Sequence, residues 1–134
     1  MINELVMLVH PKSELSKNGL GRVRSRWAAQ KVGRIRKDER EAGMYLGIQA
    51  MQINGAWDGS LPVAIEVEQY YSNKPYDRDG LLTACGPYLD GLVDAGVMKD
   101  DNPDVVIKYE AKFTKVKTRA ENRTIIRVRS MNAC

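Results

Sequence analysis

The chain holds only two cysteines, Cys85 and Cys134, and a single histidine, His10. The cysteines show no CxxC spacing, and with one imidazole for company they argue against both a zinc site and a disulfide framework. Cys85 reads as a small buried apolar residue. No apolar run is long enough to span a bilayer. MINELVMLVHPK lacks the cationic start and the small-residue cleavage site of a signal peptide, so a cytoplasmic protein with no membrane partner is expected. Repeats, linkers and low-complexity segments are also missing. The 134 residues, 43% hydrophobic and 28% charged, therefore fit one domain, 1–134, large enough to bury a core without disulfide or metal staples.

The net charge of +4 is unevenly spread. Residues 21–40 carry eight Lys/Arg against two acids, and residues 108–129 carry eight against two; residues 41–107 hold eleven Asp/Glu and three Lys/Arg. Basic flanks of this kind suit a polyanion, whereas an acidic patch between them is what simple nucleic-acid binding would avoid. Arg22, Arg24, Arg26 and Arg34 in the first flank and Lys112 in the second are candidate phosphate contacts, with Lys74 and Lys99 in the loops beside the acids. The bland reading of each run is a solvated face.

The order of elements is β-α-β-α-β-β. Residues 2–9 (INELVMLV) read as a strand ended by His10-Pro11. From Ser25, a fair N-cap, Trp27, Ala28, Val32, Ile35, Ala42, Tyr45, Leu46 and Gln49 recur at broadly helical spacing, weakened by Gly33, Gly43 and Gly47. In PVAIEVEQYY (62–71), Val63, Ile65 and Val67 alternate with Ala64, Glu66 and Glu68, the mark of a half-buried strand. VVIKYEAKFTKVKT and NRTIIRVRS read as two strands joined by a turn near Arg119 to Asn122.

Between them, Leu81, Leu82, Cys85, Tyr88, Leu89, Leu92 and Val93 form one continuous apolar stripe at about 100° per residue. Asp79, Thr83, Gly86, Asp90 and Asp94 fall opposite, within an arc of roughly 80°. Pro87 predicts a kink or a broken first turn, since it removes one backbone hydrogen bond and presses on the Thr83 carbonyl. The register runs through it, which argues for one helix, ended by Gly96. VMKDDNPD then supplies a turn carrying Asp100 and Asp101.

KPYDRDGLL (74–82) sets Asp77 and Asp79 two apart where this helix begins. Two close carboxylates repel, and without a cation one is driven toward protonation. The partner could be a Lys or Arg, a helix N-terminus or a metal ion. DRDGLL, then YLDGLVDAG, then VMKDD resembles the RusA-type Holliday-junction resolvases, small endonucleases common in phages and prophages. The similarity covers about residues 62–107 well and is faint in the N-terminal third. It implies a single α+β domain with a mixed sheet packed by two helices. It also implies a Mg²⁺- or Mn²⁺-dependent endonuclease that acts as a homodimer and nicks opposed strands of a four-way DNA junction in a bacterial or phage-infected cell. By this resemblance Asp77, Asp79 and Asp101 are the metal ligands, and Asp90, matching the mid-helix acid, completes the catalytic set. Mg²⁺ prefers oxygen ligands and keeps several waters, which suits phosphodiester hydrolysis.

Two positions depart from the family pattern. Its Asn after the DxD is Gly80 here. Its lysine four residues before the mid-helix Asp is Gly86, or Thr83 when counted from the DxD, so a cation from a neighbouring loop, Lys74 or Lys99, is a candidate replacement. Other readings stand beside this one. A RusA-like protein without catalysis would bind branched or duplex DNA, and an acidic groove would make a protein-interaction module. Residue by residue, Asp77 and Asp79 are also good for a helix N-cap and its exposed neighbour, and Asp100 to Pro103 for ordinary turn chemistry. His10 reads as a turn residue, Trp27 as core, and the alternating Lys/Arg of 108–129 as the wet face of a sheet.

Overall fold

A computed structural model describes residues 3–12, 15 and 25–131. Strand β1 (Glu4–Val9) leads to a long helix α1 (Arg26–Asn54) and then β2 (Val63–Tyr71); two helical segments follow, α2 (Arg78–Ala84) and α3 (Gly86–Ala95), then β3 (Val106–Lys115) and β4 (Arg123–Ser130). A short 3₁₀ turn, Arg119–Glu121, joins the last two strands where a turn is expected. The four strands form one mixed sheet in the order β1-β4-β2-β3. β2 runs parallel to β3 and antiparallel to β4, and β1 is antiparallel to β4. The fold is α+β, and among the described residues no helix is long and apolar enough to cross a membrane.

Alternation decides which face of the sheet is covered. Leu5, Met7 and Val9 of β1, Val63, Ile65 and Val67 of β2 and Ile126 and Val128 of β4 all point to one side and are buried there under Leu81, Cys85, Tyr88, Leu89 and Leu92. The apolar stripe read from the sequence is thus the core face of α2 and α3. Cys85 is a free thiol in this core, pushed up to about 12 by burial, with the Glu39 charge adding to the shift. Burial, then the adjoining Glu39 carboxylate, likewise raises the Tyr88 phenol. Its hydroxyl donates to the His10 carbonyl and accepts the His10 N–H, both at 3.2 Å, which ties the end of β1 to α3 and gives His10 a structural place in the turn.

Two helical expectations need correction. The stripe through Pro87 does not make one helix: α2 ends at Ala84 and α3 restarts at Gly86, with Pro87 in its first turn. Proline has no N–H to give to Thr83, so the chain breaks there, while Cys85 stays near helical geometry and keeps the apolar side facing the sheet. Trp27 is not core; it is 66% exposed on α1, with Lys31 Nζ 5.9 Å from its ring centre, and Tyr45 and Gln49 are also exposed. The face of α1 that packs is built instead around Glu39, Gly43, Gly47 and Ala50. Ser25 caps this helix as expected, its hydroxyl accepting the Ala28 N–H at 3.1 Å.

Glycine explains how closely α1 approaches α3. A Cβ on Gly43 would lie 2.5 Å from the Tyr88 carbonyl oxygen, and one on Gly91 would lie 2.6 Å from the Met44 nitrogen and closer still to the Arg40 carbonyl. One on Gly47 would meet Ala95 and Val97 at 3.0 Å. Residues that weaken the helix on propensity alone are what let the two backbones touch.

The other face of the sheet is open to solvent and charged. Glu68, only 4% exposed, accepts from Arg127 at 2.5 Å, Thr114 at 2.5 Å and Tyr70 at 3.0 Å. Burial pushes its carboxyl up, but these hydrogen bonds and the Arg127 charge outweigh burial and hold it below the usual 4.5. A carboxylate whose folded value is depressed adds stability above its unfolded value and loses it as pH falls through the folded one. Thermal stability of the parent is therefore expected to drop as the solution is acidified below 4.5. Glu68→Gln should cost about 2 kcal/mol at pH 7 and flatten that acid limb. Melting curves from pH 7 to 3 check this; an unchanged limb in Glu68→Gln would assign the acid sensitivity to another group.

Candidate active site

One cleft of about 790 Å³ lies between α1, the junction of α2 with α3, and the loop that enters β3. Asp90 and Asp101 supply its acids, and Arg36, Lys37 and Arg40 its cations; Thr83 and Gly86 lie between them. Each charged group has a local reason for its position. Asp90 follows Gly86 by one turn on the solvent side of α3, the side opposite the buried stripe. Asp101 is set by a turn in which its neighbour does the structural work. Asp100 accepts the Asp101 N–H at 2.7 Å and the Asn102 side-chain amide at 3.0 Å, and Asn102 accepts the N–H groups of Asp104 at 3.0 Å and Val105 at 3.2 Å. These bonds, the Asp101 backbone N–H first, hold the Asp100 carboxyl below the ordinary range. Of the DD pair, the first makes the turn and the second lines the cleft.

Burial raises the Asp90 carboxyl above its ordinary value, the facing Asp101 charge raises it further, and Arg40 and Arg36 oppose both. The α1 cations are in register with the α3 acids. Arg40 Nε and a terminal nitrogen bind Asp94 at 2.6 and 2.8 Å, a two-pronged contact whose hydrogen bond lowers Asp94. One turn back on both helices, Arg36 and Asp90 both line the cleft, without the direct contact that joins Arg40 to Asp94. Gly43 and Gly91 make this register possible by bringing the helices together.

The expected site residues are divided by the fold. Asp90 and Asp101 share the cleft. Asp77 caps α2, its Oδ1 accepting the Gly80 N–H at 2.6 Å, and Asp79 is exposed in the first turn of that helix. Neither lines the cleft, although Asp79 stands one turn before Thr83, which does. Among the described residues no three His, Cys, Asp or Glu side chains stand close enough together to hold a metal ion. Asp77, Asp79 and Asp101 are thus not assembled into a three-carboxylate cage. The donor chemistry of the cleft nevertheless suits Mg²⁺, which takes one or two carboxylate oxygens and fills its remaining positions with water or substrate phosphate.

The basic candidates are scattered. Lys74 lines a separate groove with Tyr76 and Arg123, Lys99 is exposed with Asp58 nearby, and neither reaches the cleft. Arg26 and Arg34 are exposed on α1; Arg22, Arg24 and Cys134 lie outside the described residues. Lys112 is 4.0 Å from Glu68 on the open sheet face. There Arg127 also pairs with Glu66 and Arg129 with Glu4, so three of the eight basic residues of 108–129 pair with neighbours in the sheet. The wet-face reading of those strands agrees with this. Arg36, Lys37 and Arg40 are the functional candidates that the sequence did not single out, having appeared only as part of a basic block. The usable signal was the matching i, i+4 spacing of Arg36 and Arg40 with Asp90 and Asp94.

No protein-family model matches the chain, and no curated protein is significantly similar to it. The functional reading therefore rests on the site and on the motif spacing read from the sequence. Two carboxylates facing two or three cations across an open cleft form a bipolar surface. Such a surface can hold a phosphodiester by its charge and present an oxygen-bound cation or a polarised water on the other side.

Proposed function

We propose that this chain is a divalent-cation-dependent, structure-selective DNA endonuclease of the RusA type, acting on four-way junctions as a homodimer. One observation carries it: Asp90 and Asp101, two of the acids that the motif resemblance nominates, line the same cleft as the α1 cations. Asp90 and Asp101 would hold Mg²⁺ or Mn²⁺, while Asp77 and Asp79, at the start of α2, stand outside the cleft. When bound, that ion supplies charge stabilisation on the phosphate and an acidified water. The chain's own part is to hold the phosphodiester against the cationic wall, with Arg40 and Arg36 opposing the rise that burial and Asp101 impose on the Asp90 carboxyl.

The test is incubation of the protein with labelled four-way junction and with linear duplex, in Mg²⁺ or in EDTA. Paired nicks in the junction, dependent on the metal, are the expected result. A second reading, a binder of branched or duplex DNA without catalysis, is favoured by the absence of a three-carboxylate group among the described residues. Tight junction binding with no cleavage in Mg²⁺ or Mn²⁺ would select it. Absence of binding to either DNA would sink both and leave the protein-interaction alternative.

A further inference from the structure

We infer, on the endonuclease reading above, that Arg36 is the group that holds the reacting phosphate in this cleft, supplying from α1 the positive charge that α3 lacks at Gly86. A phosphodiester brought beside Asp90 and Asp101 meets two negative groups, and it stays only if a cation faces it. Among the described residues three cations line the cleft, and they are not equivalent. Arg40 is engaged by Asp94 through both prongs of its guanidinium. Arg36 and Lys37 make no ion pair or side-chain hydrogen bond with any described residue. Of these two, Arg36 lies four residues before Arg40 on α1 as Asp90 lies four before Asp94 on α3, so one turn back from the Arg40–Asp94 pair it is the cation on the side of the acids, and both Arg36 and Asp90 line the cleft.

Its chemistry fits the task better than that of a lysine. A planar guanidinium offers parallel N–H donors that match two phosphate oxygens, and it remains charged under all working conditions. The opposite wall leaves room for the substrate: a Cβ added at Gly86 would meet nothing within 4 Å, and Gly86 and Thr83 both line the cleft. A cation placed at 86 would therefore project into the same space that Arg36 reaches from across the cleft. The helix crossing at Gly43 and Gly91 fixes the distance between the two walls, so the function of Arg36 depends on a backbone contact well away from its own side chain.

The experiment compares four proteins on a saturating labelled junction in Mg²⁺: the parent, Arg36→Gln, Arg36→Gln with Gly86→Lys, and Lys31→Gln. Lys31 lies beside Trp27 on the same helix, so its loss controls for the simple removal of one positive charge. Arg36→Gln is expected to slow nicking at saturation by roughly 30-fold or more, a loss in kcat that exceeds any change in KM, because charge on the phosphate grows in the transition state. Gly86→Lys in that background should restore at least a third of the parent rate, and Lys31→Gln should fall by no more than about threefold. Equal rates for the parent and Arg36→Gln, or equal losses in Arg36→Gln and Lys31→Gln, overturn the inference and leave the endonuclease reading standing. A parent that does not nick overturns the endonuclease reading and this assignment with it. Thermal melting of each variant separates a local effect from unfolding.

Discussion

Nicking of a four-way junction is expected to fall by at least about 100-fold in Asp101→Asn and in Asp90→Asn, with junction binding unchanged or tighter. Each substitution removes a carboxylate oxygen from the cleft and one negative charge that faces the DNA backbone, so cleavage and affinity should move in opposite directions. Asparagine preserves size, and Asp101 is exposed with its loop held by Asp100 and Asn102, so the fold should not suffer. Asp77→Asn is the informative companion. Asparagine caps a helix about as well as aspartate, so the Gly80 contact survives while the charge is lost. Loss of nicking in Asp77→Asn would mean that the start of α2 contributes a ligand when DNA is bound. Full activity there, with none in Asp101→Asn, would confine the metal to the Asp90–Asp101 pair. Parallel loss of binding and cleavage in Asp101→Asn would count against the endonuclease assignment altogether. Single-turnover cleavage and fluorescence anisotropy on the same junction read both quantities.

Gly91→Ala should be among the most destabilising single methyl additions in the chain, costing about 2 kcal/mol net, or about 8 °C of melting temperature. On an isolated helix the same change would help by up to about 1 kcal/mol, since alanine is the better helix former. Here the new methyl meets the backbone of α1 at Arg40 and Met44, and backbone cannot turn aside as a flexible side chain can. The two helices must separate, which opens the core behind Tyr88 and Leu92 and shifts Arg36 and Arg40 away from their acids. Gly33→Ala is the matched control: it lies on α1, its added Cβ meets nothing within 4 Å, and it should be neutral or mildly stabilising. Calorimetry of the two variants checks both signs at once. A Gly91→Ala protein as stable as the parent would mean that the α1–α3 crossing is looser than the contact at Gly91 requires.

Much of the local structure could be read from the residue pattern. The period-two alternation of Val63, Ile65 and Val67 gave β2, and the stripe from Leu81 to Val93 gave the buried side of α2 and α3 and the acidic side opposite. The cap at Ser25, the cap at Asp77, the turn at Asp100 to Asn102 and the burial of Cys85 follow from side-chain chemistry within a few residues, where sequence distance and spatial distance are the same thing. Even the break at Pro87 follows from one missing N–H, although the persistence of the apolar stripe disguised it as a single helix.

What the pattern could not supply was everything that depends on which surfaces meet. β3 and β4 follow each other in the chain, yet β2 lies between them in the sheet, and that insertion brings Glu66 and Glu68 between their basic side chains. Lys112 and Arg127 are thereby paired within the sheet, while Arg36 and Lys37, no more conspicuous in the sequence, are left facing a cleft. The glycines of α1 look like helix weaknesses until α3 is laid against them. Propensity and periodicity are set by each residue's own backbone and its near neighbours, so they are written locally. The partner of a charge is set by long-range strand order and helix register, and only the folded chain decides those.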